Sequence, residues 1–166
     1  MTEIEVKLNR LGAAIRAMQC PVVALSGGMV STFLAAVVQK VMQEPIYAVT
    51  LMPAVCPNQE CVRAQEIAVR LGLSHHVIDL RPGVEIERTG EMEKICLFCD
   101  QMQGHMLVKW IKEQRLSGIL TGYRVKLPSG RLPGKEVREY LKNPLMNSTL
   151  TQEEIEAISY GWGLLN

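Results

Sequence analysis

The stretch that most constrains this chain is residues 22–33, Val-Val-Ala-Leu-Ser-Gly-Gly-Met-Val-Ser-Thr-Phe. The unbroken apolar run Val22–Leu25 reads as a strand buried on both faces. The residues after Ser31 carry apolar side chains at helical spacing. Between them stands Ser26-Gly27-Gly28, a turn with two residues that lack a Cβ. A buried strand that passes through a glycine turn straight into a helix belongs to a parallel sheet covered by helices. The same turn has a chemical consequence. Its backbone N–H groups are unshielded, and the helix starting near Ser31 aims its positive dipole end at the same point, which suits a phosphate.

The rest of the chain continues the alternation. Ile4, Leu8, Leu11, Ile15 and Met18 predict an opening amphipathic helix that Pro21 ends. Ser31 is the expected N-cap of a helix over 31–43, with Phe33, Leu34, Val37, Val38 and Val41 facing inward. A second strand is expected at 46–51, and a helix at 59–71 that Gly72 stops. A third strand follows at 76–80, a long helix at 97–114 and a fourth strand at 118–121. Val137–Leu141 predicts a short helix. Thr151 and Glu154 form a capping-box pattern before a helix with Ile155 and Ile158 on its apolar face. The expected fold is α/β, a doubly wound, Rossmann-like parallel sheet ordered 3-2-1-4-5. It occupies a single domain, 1–166, in which 123–166 supply a loop and a short helical appendage.

Charge and hydropathy narrow the setting. A net charge of +1 gives no general reason to expect a nucleic acid or a membrane surface as partner. No apolar run approaches the roughly 20 residues that span a bilayer. The N-terminus, Met-Thr-Glu-Ile-Glu-Val-Lys, is charged and amphipathic rather than a secretory leader, so a cytoplasmic location is expected. In that compartment the five cysteines are thiols, metal ligands or redox groups rather than structural disulfides.

Four of them fall in pairs. Cys96 and Cys99 form a C-x-x-C, and Cys56 and Cys61 are separated by four residues. The pairs follow the third and second strands, so both loops leave the sheet at the edge where the glycine turn lies. Four thiolates converging there suit zinc or an iron–sulfur cluster. A C-x-x-C also suits sulfur transfer, because it lowers a thiol pKa and resolves a disulfide. Cysteine equally packs as a small hydrophobe, and the pattern leaves these readings open. Cys20 is expected in the core. Of His75 and His76, one is expected to face solvent and the other to pack; His105 is a further candidate ligand.

Residues 22–33 resemble the loop of the PP-loop ATP pyrophosphatases, whose signature is Ser-Gly-Gly-x-Asp-Ser. Ser26, Gly27, Gly28 and Ser31 match, and Val30 stands where the signature has Asp. Glu93 to Asp100 is similar to the Arg-Cys-x-x-Cys-Lys segment of the ATP-dependent sacrificial sulfur transferases. Thr121-Gly122 resembles the end of their fourth strand. Asn143-Pro144-Leu145, Leu150 to Ile155 and Gly161 to Leu164 resemble their later motifs.

The resemblance implies an adenine nucleotide alpha hydrolase-like fold, with ATP and Mg²⁺ as cofactors. It implies that Ser26, Gly27, Gly28, Ser31 and Thr32 cradle the phosphates. Ala24, Leu25, Val49 and Leu51, with Gly122, would border the nucleotide. Cleavage between the α- and β-phosphates would adenylate an acceptor, and Cys96 and Cys99 would be the catalytic thiols that handle sulfur. Implied partners are the nucleotide, a sulfur-acceptor substrate or partner protein, and further copies of the chain. Val30 cannot organise Mg²⁺ as an Asp does. The alternative is therefore a nucleotide-binding or metal-binding scaffold acting with a partner enzyme. Arg124, Lys126, Arg131, Lys135 and Arg138 form a basic cluster that suits a solvated loop or contact with phosphates. With neutral overall charge, one short patch is thin support for tRNA.

Overall fold

The computed structural model describes residues 1–52, 59–79, 104–122 and 134–165. Helix α1 (Glu3–Met18) opens on a capping box: Thr2 Oγ1 accepts the Glu5 N–H while the Glu5 carboxylate accepts the Thr2 N–H. It buries Leu11 and Ile15 and ends at Gln19, whose φ is 48°, before Pro21 is reached. The chain then runs through β1 (Val22–Ala24), α2 (Met29–Val41), β2 (Tyr47–Met52), α3 (Gln59–Leu71) and β3 (Ser74–Asp79). Residues 104–113 are helical (α4). After them come β4 (Ile119–Leu120), α5 (Lys135–Tyr140), β5 (Leu141–Lys142), a 3-10 turn at Pro144–Asn147 and α6 (Gln152–Gly161).

The five strands form one sheet in the order β3-β2-β1-β4-β5, every neighbouring pair parallel. This is the expected order, with β1 in the centre. Val22 and Val23 are fully buried there, as a strand covered on both faces requires. Side chains alternate across the sheet, so Tyr47, Val49, Ser74 and His76 share one face, and Thr50 and His75 the other. The His76 ring lies 6.2 Å from that of Trp110, which puts α4 against the first of these faces. Helix α2 is buried from Thr32 through Val38, more than one face, because α6 covers the side turned away from the sheet. Phe33 stacks on Trp162 with ring centroids 5.8 Å apart.

Three expectations are corrected. Helix α2 begins two residues earlier than expected, and its N-cap is Gly28 rather than Ser31. The Ser31 hydroxyl has partners in the preceding turn and so does not cap. Helix α5 ends at Tyr140, and Leu141, expected to be helical, pairs with Ile119 in β5. Gly118 admits this approach. A Cβ there would lie 2.7 Å from the Tyr140 carbonyl oxygen. Finally, β3 starts at Ser74 rather than His76, because parallel pairing with Tyr47 recruits two residues that have no apolar side chain. Cys20 is in the core as expected, its S–H donating to the Gly118 carbonyl at 2.8 Å. Burial pushes that thiol's pKa up. Among the described residues no helix is long and apolar enough to cross a membrane.

Candidate functional site

The turn between β1 and α2 lies at the carboxyl end of the central strand, where open α/β sheets take their ligands. Leu25 N–H donates to the Val49 carbonyl at 2.8 Å, carrying the β1–β2 ladder one residue past β1. The Leu25 carbonyl then receives the Thr50 hydroxyl at 2.5 Å. Thr50 is 2% exposed, so its oxygen needs a second partner, and His75 Nε2 provides it at 2.7 Å. The Thr50 proton is committed to Leu25. The imidazole must therefore donate, which assigns the hydrogen to Nε2. Partial burial, and secondarily the neighbouring His76, hold the His75 pKa below its usual value.

Beyond Leu25 the chain turns on Gly27, at φ 86°, and enters α2 from Gly28, at φ −76° and ψ 164°. A side chain at Gly27 would be strained, whereas Gly28 has an ordinary extended conformation. The hydroxyls of the turn bond inward. Ser31 donates to the Gly28 carbonyl at 3.0 Å, so in its 3.0 Å contact with Ser26 the latter is the donor. Ser31 Oγ also accepts the Ser26 N–H at 3.2 Å, and Ser26 Oγ accepts the Gly28 N–H at 3.3 Å. Thr32 is buried and donates both its hydroxyl and its N–H to the Gly28 carbonyl, at 2.8 and 3.0 Å.

Ser26 and Gly28 are the exposed residues of the turn, so it offers solvent backbone as well as one hydroxyl. No side chain caps the first turn of α2, and no acidic residue stands in it. The helix N-terminus presents N–H donors and the positive end of its dipole. A Cβ on Gly28 would meet only Ser26 Oγ, at 3.4 Å, so the approach to the turn is open. Such an arrangement is suited to an anion.

The floor of the site is apolar. Val30 leans on Gly122, just past β4, with Val30 Cγ1 2.7 Å from where a Gly122 Cβ would stand. Only glycine fits at 122 with valine at 30. Ala24 lies opposite Val49 in register, and Leu51 follows on β2, so the residues expected to border a nucleotide lie beside the turn on two adjacent strands. Cys61, at the start of α3, lies with its sulfur 3.9 Å from the Leu51 carbonyl. Cys56, Cys96 and Cys99 fall outside the described residues, as do Arg124, Lys126 and Arg131; Lys135 and Arg138 lie on α5. His105 is exposed on α4. His76 is exposed and His75 packs, the division expected of the pair. The hydrogen bond between Thr50 and His75 was not among the expected features of the site. A single threonine inside the apolar run of β2 was the available signal.

The family model for NAD synthase matches residues 6–103. No curated protein matches the sequence. Among solved structures, the NH3-dependent NAD synthetase from Campylobacter jejuni, in complex with the nitrate ion, superposes with a TM-score of 0.74 at 15% identity. That match covers 98% of this chain and 75% of the synthetase. The NMN synthetase from Francisella tularensis gives 0.68 at 18% identity, over 98% of this chain and 70% of that one. The U34-tRNA thiolase NcsA from Methanococcus maripaludis, with its 4Fe-4S cluster, gives 0.70 at 12% identity, over 97% and 65%. These likenesses are likenesses of fold.

Proposed function

The chain belongs to the NAD synthase family, within the PP-loop ATP pyrophosphatases, and we propose that it binds the phosphates of an adenine nucleotide at Ser26–Ser31. The observation that carries this reading is the uncapped first turn of α2, entered through Gly27 and free of acidic side chains. Backbone N–H groups there would hold phosphate oxygens, while Ser26, Ser31 and Thr32 hold the turn in shape. Ala24, Leu25, Val49 and Leu51, with Gly122, would border the rest of the nucleotide.

Mg²⁺ is typical of this superfamily, and the first turn of α2 offers it no carboxylate: Val30 stands where the signature has Asp, with a methyl group 2.7 Å from where a Gly122 Cβ would stand. We therefore read the chain first as a nucleotide-binding protein that works with a partner, a catalytic chain or a further copy of itself. Sulfur transfer is the second reading. Cys61 favours it, standing beside the carboxyl end of β2 at the edge of the proposed nucleotide. In that reading ATP adenylates an acceptor carboxyl or carbonyl and releases pyrophosphate. Sulfur handled by Cys96 and Cys99 then displaces AMP, and a cluster or zinc ion held by Cys56, Cys61, Cys96 and Cys99 would belong to the same machinery.

Equilibrium binding of ATP and AMP tests the shared part. Saturable binding that Gly28→Ala weakens supports it, and no binding of either nucleotide overturns it. Pyrophosphate release with an acceptor separates the readings. Release by the wild-type chain favours the enzyme, and release only from Val30→Asp favours the binding protein.

A further inference from the structure

We infer that Thr50 and His75 are positioning residues for the turn between β1 and α2, acting through a chain of hydrogen bonds that runs from β3 through one peptide group into the turn. The inference rests on reading Ser26–Ser31 as the nucleotide site, and it names two residues outside the turn that set its shape.

The chain of bonds begins where backbone pairing gives way to a side chain. Leu25 N–H donates to the Val49 carbonyl, but the Leu25 carbonyl takes the Thr50 hydroxyl. Leu25 is 1% exposed and Thr50 2%, so each must find its partners within the protein. Two oxygens 2.5 Å apart need a proton between them, and Thr50 has only one to give. His75 stands opposite Ala48 and reaches Thr50, two positions further along the same face of β2, with Nε2 at 2.7 Å. With its proton spent on Leu25, Thr50 can only accept there, so Nε2 carries hydrogen.

The Leu25 carbonyl belongs to the same peptide group as the Ser26 N–H. That group is planar and trans, with its C=O and N–H pointing in opposite directions, so a carbonyl held by Thr50 also aims the N–H. The Ser26 N–H donates to Ser31 Oγ at 3.2 Å, and the Ser31 hydroxyl donates to the Gly28 carbonyl at 3.0 Å. Gly28 is the N-cap of α2 and Ser31 lies in its first turn. Every donor from His75 to Gly28 points the same way along this path, the arrangement in which successive hydrogen bonds strengthen one another. The Leu25–Ser26 peptide is thus held at both ends, by β2 and β3 on one side and by α2 on the other. Without the Thr50 hydroxyl the carbonyl end is released, and the turn loses its fixed orientation against the sheet.

Nitrogen NMR of the ligand-free wild type at about pH 8, above the ordinary imidazole pKa, should find the His75 hydrogen on Nε2. Hydrogen on Nδ1 overturns the inference. Equilibrium ATP binding is then compared in Thr50→Val, which keeps the branched shape without the hydroxyl, and in Thr50→Ser, which keeps the hydroxyl. Thr50→Val should bind on the order of tenfold more weakly, the worth of one buried hydrogen bond, and Thr50→Ser should bind like wild type. Thr50 and Ser31 act along one path, so Ser31→Ala added to Thr50→Val should weaken binding little beyond the weaker single variant. Unchanged affinity in Thr50→Val, or losses that add in the double variant, overturns the inference and leaves the nucleotide site standing. A wild type that binds no ATP overturns the reading of the site and the positioning role with it. Should Thr50→Val fail to fold by circular dichroism, His75→Leu and His75→Gln replace it. His75→Leu should bind ATP more weakly than His75→Gln, whose amide can donate to Thr50, and equal affinity overturns the inference.

Discussion

Gly27 and Gly28 are adjacent and identical in composition, yet the structure gives them different tasks. At φ 86° Gly27 holds a conformation that costs an L-residue about 1–2 kcal/mol. Gly27→Ala should lower stability by about that much in urea denaturation. Gly28, at φ −76°, accepts a methyl group without strain, so Gly28→Ala should melt like wild type. Its methyl group would stand on the open side of the turn and should weaken ATP binding roughly tenfold by displacing one charge-assisted hydrogen bond. The Ser-Gly-Gly pattern was legible because glycine in a strand-to-helix turn has few other uses. The Thr50–His75 relay was not, since hydrogen bonds between neighbouring strands depend on register. His75 has a depressed pKa when folded, so the unfolded chain takes up its proton first as pH falls. The contribution of His75 is thus complete above about pH 6.5, the unfolded value, and is lost as pH drops below it. Melting temperature should decline from pH 7 to 5. His75→Gln, whose amide can donate to Thr50 but does not titrate, should flatten that slope.

Among the elements, the packing of α2 against the end of β4 carries the clearest test. Gly122→Ala would push a methyl group into Val30 Cγ1, a stiff branched side chain on a helix, and should cost about 1–3 kcal/mol in denaturation. Adding Val30→Ala should recover most of that loss, giving a coupling energy of about 1 kcal/mol or more in a double-mutant cycle. Additive losses would mean that the two do not touch. Element limits were legible where a chemical stop lies in the chain. Helix α3 ends at Leu71 because Gly72 takes φ 68°, and α6 begins at Thr151 because Thr151 and Glu154 satisfy each other's backbone N–H. Strand β5 was not legible. Two residues have no periodicity, and Leu141 and Lys142 become a strand only because Gly118 lets the chain come close to β4.

For the whole molecule, the segment after β5 matters more than a short appendage suggests. Trp162 stacks on Phe33 and receives Lys40 at 3.7 Å from its ring centre, Lys7 pairs with Glu154 at 2.7 Å, and Arg70 donates to the Leu164 carbonyl at 3.0 Å. Helices α1, α2 and α3 are thereby tied to the end of the chain. Trp162→Ala should cost about 2–3 kcal/mol in urea denaturation and expose Phe33, seen as increased binding of an apolar dye. An unchanged midpoint would show that α6 only rests on α2. The order of strands and the place of the turn followed from the sequence alone, because apolar periodicity, glycine turns and right-handed crossovers are local or nearly local effects. The bonding of the site's hydroxyls, the fit of Val30 to Gly122 and the covering of α2 by α6 join residues that are distant in the chain. Those were decided by tertiary packing, where the geometry of facing surfaces, and no local pattern, selects which groups meet.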